Sequence, residues 1–263
     1  MESALEEIEF LALSSNRVEV LRLLAAEPHS RGELAAETGA SQATLGRIIA
    51  DFENRSWIRR TGGEYVATAT GHIVADGFTD LLDILETERG LRDIVQYLPT
   101  DAMDFDLRHL ADATITVPSQ TRPNAPVQRL LDLLRDAEKV QTFSHAFNDQ
   151  TIRVVQERVA AGDQQFSGVF SPGAIDALTA DDRLRSRLES LRAEPNASFR
   201  VRPEGVPLAV MIADDVVHML LRDDSGVLQA SLDTTAPAVR EWATETFDTY
   251  WESAEPLSAD GSL

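Results

Sequence analysis

Residues 30–68, SRGELAAETGASQATLGRIIADFENRSWIRRTGGEYVAT, constrain the fold more than any other part of the chain. Ser30 and Glu33 have the spacing of a capping box, which predicts that a helix begins directly after Ser30. Gly39 permits a tight turn, and Ser41 is a suitable N-cap for a second helix. Two helices joined by so short a turn are typical of a helix-turn-helix unit.

The second helix, predicted over 42–54, is expected to have one buried face and one free face. Leu45, Ile49 and Phe52 recur at helical spacing and anchor the helix to the core. Two extended runs around Gly62-Gly63 follow and predict a β-hairpin. A hairpin directly after a helix-turn-helix predicts a winged helix, whose second helix would enter the major groove of DNA.

On this interpretation the start of the second helix and the hairpin contact double-stranded DNA. Glutamine can read adenine and arginine can read guanine, while the free N–H groups at a helix start suit a phosphate. The predicted DNA-binding residues are Ser41, Gln42, Ala43, Thr44, Gly46 and Arg47 on the helix and Arg59, Arg60 and Tyr65 on the hairpin. The alternative is a helical hairpin unrelated to DNA, since such helix pairs are common.

The net charge of −20 argues against nucleic acid, but the charge is unevenly distributed. Residues 41–63 contain two acids and four arginines, so the local excess of positive charge coincides with the predicted DNA reader. An acidic surface with Lys139 as the only lysine suggests adaptation to a high-salt cytoplasm. The alternative is an ordinary acidic protein.

The composition argues against a disulfide-bonded, metal-binding, secreted or membrane protein. The chain has no cysteine, which excludes disulfides and thiolate metal sites, and we expect no metal site and no cofactor. The N-terminal segment MESALEEIEF has no positively charged stretch, and no apolar run is long enough to cross a bilayer. We therefore expect no signal peptide and no membrane partner, which favours a cytoplasmic protein.

The pattern of the whole chain predicts a two-domain α/β protein. The winged helix is expected over 1–70 and a helical linker over 71–98, with Gly90 as a point where the linker helix can split. Over 99–252 helices first alternate with strands, and three strands then follow without helices. This order predicts a mixed sheet, partly parallel with an antiparallel extension. A flexible tail is expected over 253–263.

Two segments resemble known families. The segment GASQATLGRIIADF, within 16–68, resembles the winged helix-turn-helix of archaeal transcriptional regulators of the ArsR and TrmB type. Residues 110–252 resemble the middle domain of the methanogenesis regulatory protein family, which follows such a domain in archaeal, including haloarchaeal, regulators. The resemblance implies a role in transcription and a sensor domain. It also implies a phospholipase-D-like half-domain without its catalytic motif.

The resemblance argues against catalysis at His145. Active relatives of this half-domain carry His-x-Lys followed by Asp, whereas the sequence here is His145-Ala146-Phe147-Asn148-Asp149. Because the lysine is missing, we predict no catalytic residue and expect that the protein is not an enzyme. A structural hydrogen bond at a strand end is the preferred role of His145. A hydrolase-like C-terminal domain and a pure protein-interaction module stay open as alternatives.

A small-molecule effector is expected at the ends of the strands, where open α/β sheets bind ligands. The predicted ligand-binding residues are Ser144, His145, Ser171, Arg200 and Arg202. An arginine at such a position can clamp a carboxylate or a phosphate. The alternative is that these residues pair with the many surface acids.

An apolar stripe predicts a homodimer, since helix-turn-helix proteins usually bind paired half-sites. The predicted dimerisation residues are Ile8 and Leu11 on the first helix and Leu81, Leu82 and Leu85 on the linker helix. The alternative is that these side chains are buried within one subunit. The sequence as a whole predicts a sequence-specific DNA-binding transcriptional regulator whose C-terminal domain senses a small molecule, mediates oligomerisation, or does both.

Overall fold

The computed structural model describes residues 2–147 and 149–257. These residues fall into two structural units, Met1–Glu86 and Thr87–Leu263, and the division lies inside one long helix. The predicted boundaries at 70/71 and 98/99 remain predictions about domain organisation.

The first unit is a set of helices completed by a hairpin. Its elements are α1 (Glu2–Ala12), α2 (Ser15–Ala26), α3 (Arg31–Thr38), α4 (Gln42–Asn54), β1 (Ile58–Thr61), β2 (Glu64–Ala67) and most of α5 (Ala69–Leu91). Leu24, Leu34, Leu45 and Phe52 are fully buried and form the centre of its core. The predicted winged helix-turn-helix fold is confirmed.

The hairpin depends on its two glycines. Gly62 and Gly63 have φ values of 61° and 99°, a region that favours glycine and gives a two-residue turn. A third short strand segment lies beside β2, because the N–H of His29 donates to the carbonyl of Tyr65 at 3.0 Å and the N–H of Tyr65 donates back at 2.8 Å. The wing is thus tied to the loop that precedes α3.

The linker region differs from its prediction in one respect. Helix α5 does not split at Gly90 but continues to Leu91. Beyond it the chain forms three short 3-10 turns, Val95–Tyr97, Thr100–Ala102 and Leu107–Leu110. Backbone hydrogen bonds of the helix outweigh the entropy cost of its glycines.

The second unit is an eight-stranded mixed sheet with helices on both faces. Its elements are β3 (Thr114–Thr116), α6 (Ala125–Asp136), β4 (Lys139–Ser144), α7 (Asp149–Ala160), β5 (Gln165–Phe170), α8 (Pro172–Thr179), α9 (Asp182–Arg192), β6 (Ala197–Val201), β7 (Ala209–Ala213), β8 (Val216–Arg222), β9 (Leu228–Thr234), α10 (Pro237–Ser253) and β10 (Glu255–Pro256). The strand order is β10-β6-β5-β4-β7-β8-β9-β3. Among the described strands of this sheet, parallel pairing occurs from β4 to β5 and from β5 to β6, and the other neighbours pair antiparallel. The predicted partly parallel sheet with an antiparallel extension is confirmed.

Successive side chains of each strand point to opposite faces of the sheet, and each face has its own hydrophobic core. One face of the sheet packs on α6 to α9, around residues such as Phe166, Phe170 and Met211. The other face packs on α10, around residues such as Phe143, Met219 and Trp242. A residue's position in the two-residue repeat therefore decides which of the two cores it reaches.

Two sequence predictions in this unit are wrong. The pattern predicts one helix over 173–193, but two helices form because Asp181 begins α9, accepting hydrogen bonds from the N–H groups of Arg183 and Leu184. The start of the predicted flexible tail is also ordered, since Glu255 pairs with Val201. The part of the tail beyond residue 257 lies outside the described residues.

One buried ion pair joins α6 to the sheet. Arg129 donates two hydrogen bonds, of 3.1 and 2.7 Å, to the carboxylate of Asp233 on β9, which is only 5% exposed. Burial acts to raise the pKa of Asp233, but the neighbouring His218 and Arg129 outweigh it and hold the pKa below its ordinary value. The pair therefore stabilises the fold at neutral pH.

Arg129→Met should lower the free energy of unfolding by about 2 kcal/mol, because it leaves a buried carboxylate without its donors. Arg135→Met on the same helix removes only an exposed pair with Asp132, and its effect should be about 0.5 kcal/mol. Urea denaturation near neutral pH measures both. The difference should persist above the unfolded-state pKa of the carboxyl and shrink as the pH falls through the depressed folded-state pKa. Equal losses of unfolding free energy in the two variants would show that the buried pair stabilises the fold no more than the exposed pair does.

Candidate functional site

The corner between α3 and α4 is held by local hydrogen bonds. The hydroxyl of Ser30 accepts a hydrogen bond from the N–H of Glu33 at 3.3 Å, and the Ser30 N–H donates to the Glu33 carboxylate at 2.7 Å. Gly39 ends α3 with a φ of 68°, the left-handed conformation that reverses the chain. The capping box and the tight turn predicted from the sequence are both present, and they set where α4 begins.

The start of α4 is exposed and contains six predicted DNA-binding residues. Ser41 caps the helix, because its hydroxyl accepts a hydrogen bond from the N–H of Thr44 at 3.1 Å and lies 2.9 Å from the Thr44 hydroxyl. Gln42, Ala43 and Arg47 are exposed. Within the part of the chain that the structure describes, the side chains of Gln42 and Arg47 make no hydrogen bond or ion pair, so they are available to a ligand.

Gly46 has a different role from the predicted one, and it reveals a residue that the sequence reasoning missed. The guanidinium of Arg31 on α3 donates to the carbonyl of Gln42. A Cβ atom at position 46 would lie 2.8 Å from Nη2 of Arg31, so the glycine makes room for this side chain. A glycine inside an otherwise regular helix was the only sequence signal for this contact.

The two arginines that are adjacent in the sequence of the wing point to opposite faces of the hairpin. Arg59 lies opposite Val66 on the outer face of the hairpin, where its guanidinium donates to the Thr61 hydroxyl at 2.7 Å. Arg60 lies opposite Tyr65 on the other face, with its guanidinium 5.7 Å from the centre of that ring. The two charges therefore point in different directions and do not form one joint clamp.

Charge in the first unit is unevenly neutralised. Arg55 is used internally, since it bonds to Glu7 at 2.7 Å and stacks on Phe10. Among the described residues, Arg47 and Arg60 have no acidic partner. The start of α4 and the wing thus carry positive charge that the protein itself does not use.

The five residues predicted to bind a ligand do not form one site. Ser144 and Ser171 meet at the carboxyl ends of β4 and β5, where the Ser171 N–H donates to the Ser144 carbonyl at 3.2 Å. The Ser144 hydroxyl is already bonded to the backbone of Ala146. The Ser171 hydroxyl lies 3.5 Å from the His145 carbonyl. Burial lowers the pKa of His145 and outweighs a hydrogen bond with the Leu208 backbone that raises it, and the Arg222 charge lowers it slightly further.

Arg200 and Arg202 point to the other face of the sheet, which corrects their predicted role. Arg200 donates to the carbonyl of Trp251 at 2.8 Å, and its guanidinium lies 4.5 Å from the centre of the Trp251 ring. Arg202 donates to the hydroxyl of Ser253 at 3.3 Å and stacks on Tyr250. Both arginines fasten the end of α10, so neither is free to clamp a ligand.

The five predicted dimerisation residues differ in how exposed they are. Leu11 is 2% exposed and belongs to the core of its own unit, which corrects its predicted place at an interface. Leu81 is half-buried. The exposed fractions of Ile8, Leu82 and Leu85 are 42%, 37% and 52%. Sequence reasoning missed three other exposed apolar residues of these two helices, Leu5, Ile73 and Ile84.

Within residues 2–147 and 149–257, no group of three or more His, Asp or Glu side chains is arranged to hold a metal ion. No helix in that part of the chain is both long enough and apolar enough to cross a bilayer.

Two family models match the chain. Residues 5–90 match the HVO_A0261 N-terminal domain, and residues 123–253 match the middle domain of the methanogenesis regulatory protein FilR1. The resemblance of the C-terminal segment to a methanogenesis regulatory protein is therefore confirmed. No curated protein sequence matches the chain.

Several solved structures can be aligned with this chain at low identity. TrmBL2, an archaeal chromatin protein, covers 91% of this chain and 92% of its own at 14% identity, with a TM-score of 0.40. Nuc, a phospholipase D family member from Salmonella typhimurium, covers 55% and 97% at 12% identity, with a TM-score of 0.43. NucT from Helicobacter pylori covers 55% and 98% at 15% identity, with the same TM-score. At these scores the likenesses carry no argument about activity.

Two helical glycines of the first unit should respond oppositely to alanine. Gly46→Ala displaces only the flexible end of Arg31 and improves helix propensity, so the free energy of unfolding should stay equal or rise by up to about 1 kcal/mol. Gly71→Ala places a Cβ 1.9 Å from the carbonyl oxygen of Trp57, and it should cost at least about 2 kcal/mol. Chemical denaturation followed by circular dichroism measures both. A marked loss in Gly46→Ala would contradict the expectation that the end of the Arg31 side chain can move aside.

Proposed function

We propose that this chain, which joins a domain of the HVO_A0261 N-terminal type to a middle domain of the FilR1 type, is a DNA-binding transcriptional regulator. The observation that carries the proposal is the exposed start of α4, where Gln42 and Arg47 are available, while Glu33 on α3 takes part in a capping box and Glu37 lies 3.3 Å from His29. The second unit is proposed to sense a small molecule.

The geometry of α4 supports direct reading of bases. The helix is anchored through Leu45, Ile49 and Phe52, so its opposite face is free to enter a major groove. Gln42 can pair with adenine and Arg47 with guanine through two hydrogen bonds each. The small side chain of Ala43 lets the helix approach the bases closely, and the capped helix start at Ser41 suits a phosphate.

Because Arg59 and Arg60 lie on opposite faces of the hairpin, each would contact DNA separately. Arg59 on the outer face and Arg60 on the Tyr65 face cannot grip the same phosphate from one side. We therefore assign them separate phosphate contacts, with Arg60 and Tyr65 nearer to the groove that α4 enters. Both contacts add affinity without sequence information.

The strongly acidic remainder of the chain makes base reading more important. If the protein works in a high-salt cytoplasm, as its composition suggests, phosphate contacts contribute less because counterion release is weaker and the Debye length is only about 3 Å at 1 M salt. Specific hydrogen bonds in the groove are less sensitive to salt. The affinity would then depend mainly on Gln42 and Arg47.

The exposed apolar residues of α1 and α5 support self-association. Ile8, Leu82 and Leu85 are exposed on these two helices, and exposed apolar side chains mark an interaction site when they form one contiguous patch. We propose that they form a two-fold interface, which would place two copies of α4 one helical turn of DNA apart. A ligand could then act by favouring one dimer geometry over another.

Arginine variants separate base reading from phosphate contact. On a duplex enriched from a randomised pool, Arg47→Ala should lose about 1–3 kcal/mol of binding free energy and much of its preference over scrambled DNA. Arg59→Ala should weaken binding to both duplexes equally and reduce the salt slope by about 0.9. Fluorescence anisotropy over a salt series measures each effect. Arg240→Ala, an exposed arginine of α10, is the charge-matched control. Unchanged preference in Arg47→Ala would remove α4 as the reader.

Leu82→Glu should produce a folded monomer, because the side chain is exposed within one subunit but would be buried in the dimer. Operator binding should weaken accordingly, since one α4 cannot span two half-sites. Light scattering and circular dichroism distinguish loss of assembly from loss of folding. Val227→Glu, at an exposed apolar residue of the second unit, should leave both unchanged, and Leu11→Glu should unfold the first unit. A Leu82→Glu protein that stays dimeric would contradict the interface.

A further inference from the structure

A cavity lies on the face of the sheet that packs against α6 and α7. The space inside it that the centres of water-sized molecules can occupy is about 60 Å³, and the cavity is partly open to solvent. Most of its wall is apolar and comes from Leu130, Phe147, Phe166, Phe170, Met211 and Leu220. Ligand sites in proteins have this character when a few polar groups are also present in the wall.

His218 supplies an unpaired polar group to that wall. Its side chain is 1% exposed, and neither ring nitrogen has a hydrogen-bond partner among the described residues. The nearest carboxylate oxygen, on Asp233, is 3.8 Å from Nδ1, which is too far for a hydrogen bond. Burial lowers the pKa of His218, so the ring is neutral and can donate at one nitrogen and accept at the other.

An unpaired buried imidazole is costly, and proteins seldom retain one without a use. Its carboxylate neighbour does not supply the missing bond, because the nearer oxygen of Asp233 is 3.8 Å away and two hydrogen bonds from Arg129 hold that carboxylate in place. The natural partner of His218 is therefore a group that enters the cavity.

Arg222 supplies a charge at the other end of the same wall. It lies four residues from His218 on β8, on the same face of the strand, so the two Cα atoms are about 13 Å apart. Its Nη1 donates to the Gly226 carbonyl at 2.9 Å, whereas its buried Nε has no partner among the residues described. An N–H of a guanidinium facing a cavity suits a carboxylate.

The wall between these two groups is apolar, since Leu220 separates them on the strand and Phe170 and Met211 lie beside it. We propose that this cavity binds a small organic acid whose apolar body lies on Leu220, whose carboxylate meets Arg222 and whose opposite end carries a hydroxyl that bonds to His218. The proposal rests on the ligand-sensing part of the proposed function and specifies its chemistry. It also replaces the site predicted at Arg200 and Arg202, which face the opposite core.

Three related compounds test the chemistry on the full chain without DNA. The probe is para-hydroxyphenylacetate, and its two controls are phenylacetate, which lacks the hydroxyl, and para-hydroxyphenethyl alcohol, which lacks the carboxylate. Isothermal titration calorimetry should show saturable binding of the probe and at least about tenfold weaker binding of each control, the factor expected for one lost hydrogen bond to a buried or charged group. If the wild-type protein binds none of the three, the cavity holds only water and the proposal is wrong.

Two variants test which end of the ligand contacts His218 and which contacts Arg222. His218→Leu should keep or raise the melting temperature of the free protein, because it removes an unsatisfied buried group, and it should bind the probe and phenylacetate equally. Arg222→Gln should lose about tenfold in affinity for both acids and leave the alcohol unchanged. Arg240→Gln, an exposed arginine, should behave as wild type. Wild-type discrimination among the three compounds in either cavity variant would overturn the assigned contacts.

The readout is independent of DNA recognition. Failure of the titration with normal DNA binding would reject the ligand and leave the regulator intact. Normal titration with no DNA binding would reject the proposed regulator and leave the cavity site intact.

Discussion

The left-handed turn at Gly39 is the constraint on which the proposed DNA surface depends. A φ of 68° lets α3 end and α4 begin within three residues, and few residues other than glycine adopt it without strain. The Ser30 and Ser41 hydroxyls then each accept a hydrogen bond from one of the free N–H groups at the start of their helices. Core packing through Leu45 and Phe52 rotates α4 so that Gln42 and Arg47 stay outside.

A second constraint, the two-residue repeat of the strands, decides the chemistry of the C-terminal unit. Arg200 and Arg202 occupy positions that face α10, and they hold the C-terminal end of that helix. His218 and Arg222 occupy positions that face α6 and α7, and they line the cavity. A shift of one residue in either strand would exchange these roles, because alternate side chains point to opposite faces.

Features that depend on local sequence were predictable. The capping box, the glycine turn of the hairpin and the order of helices and strands along the chain follow from spacing over a few residues. Contacts between distant residues were not predictable, as the placement of Arg31 against Gly46 and the burial of Leu11 show. The pairing of Arg129 with Asp233, and the position of His218 3.8 Å from that carboxylate, likewise depend on tertiary packing rather than on any local pattern.

The central claim, that α4 reads specific DNA sequences, is tested most directly by genome-wide mapping of the DNA bound in cells. The wild-type protein is expected to occupy discrete sites that share a two-fold-symmetric motif, with half-sites about one helical turn apart. A Gln42→Ala, Arg47→Ala double variant, expressed at the same level, should lose those sites. Identical maps for the two proteins, or a wild-type map without any shared motif, would contradict the account.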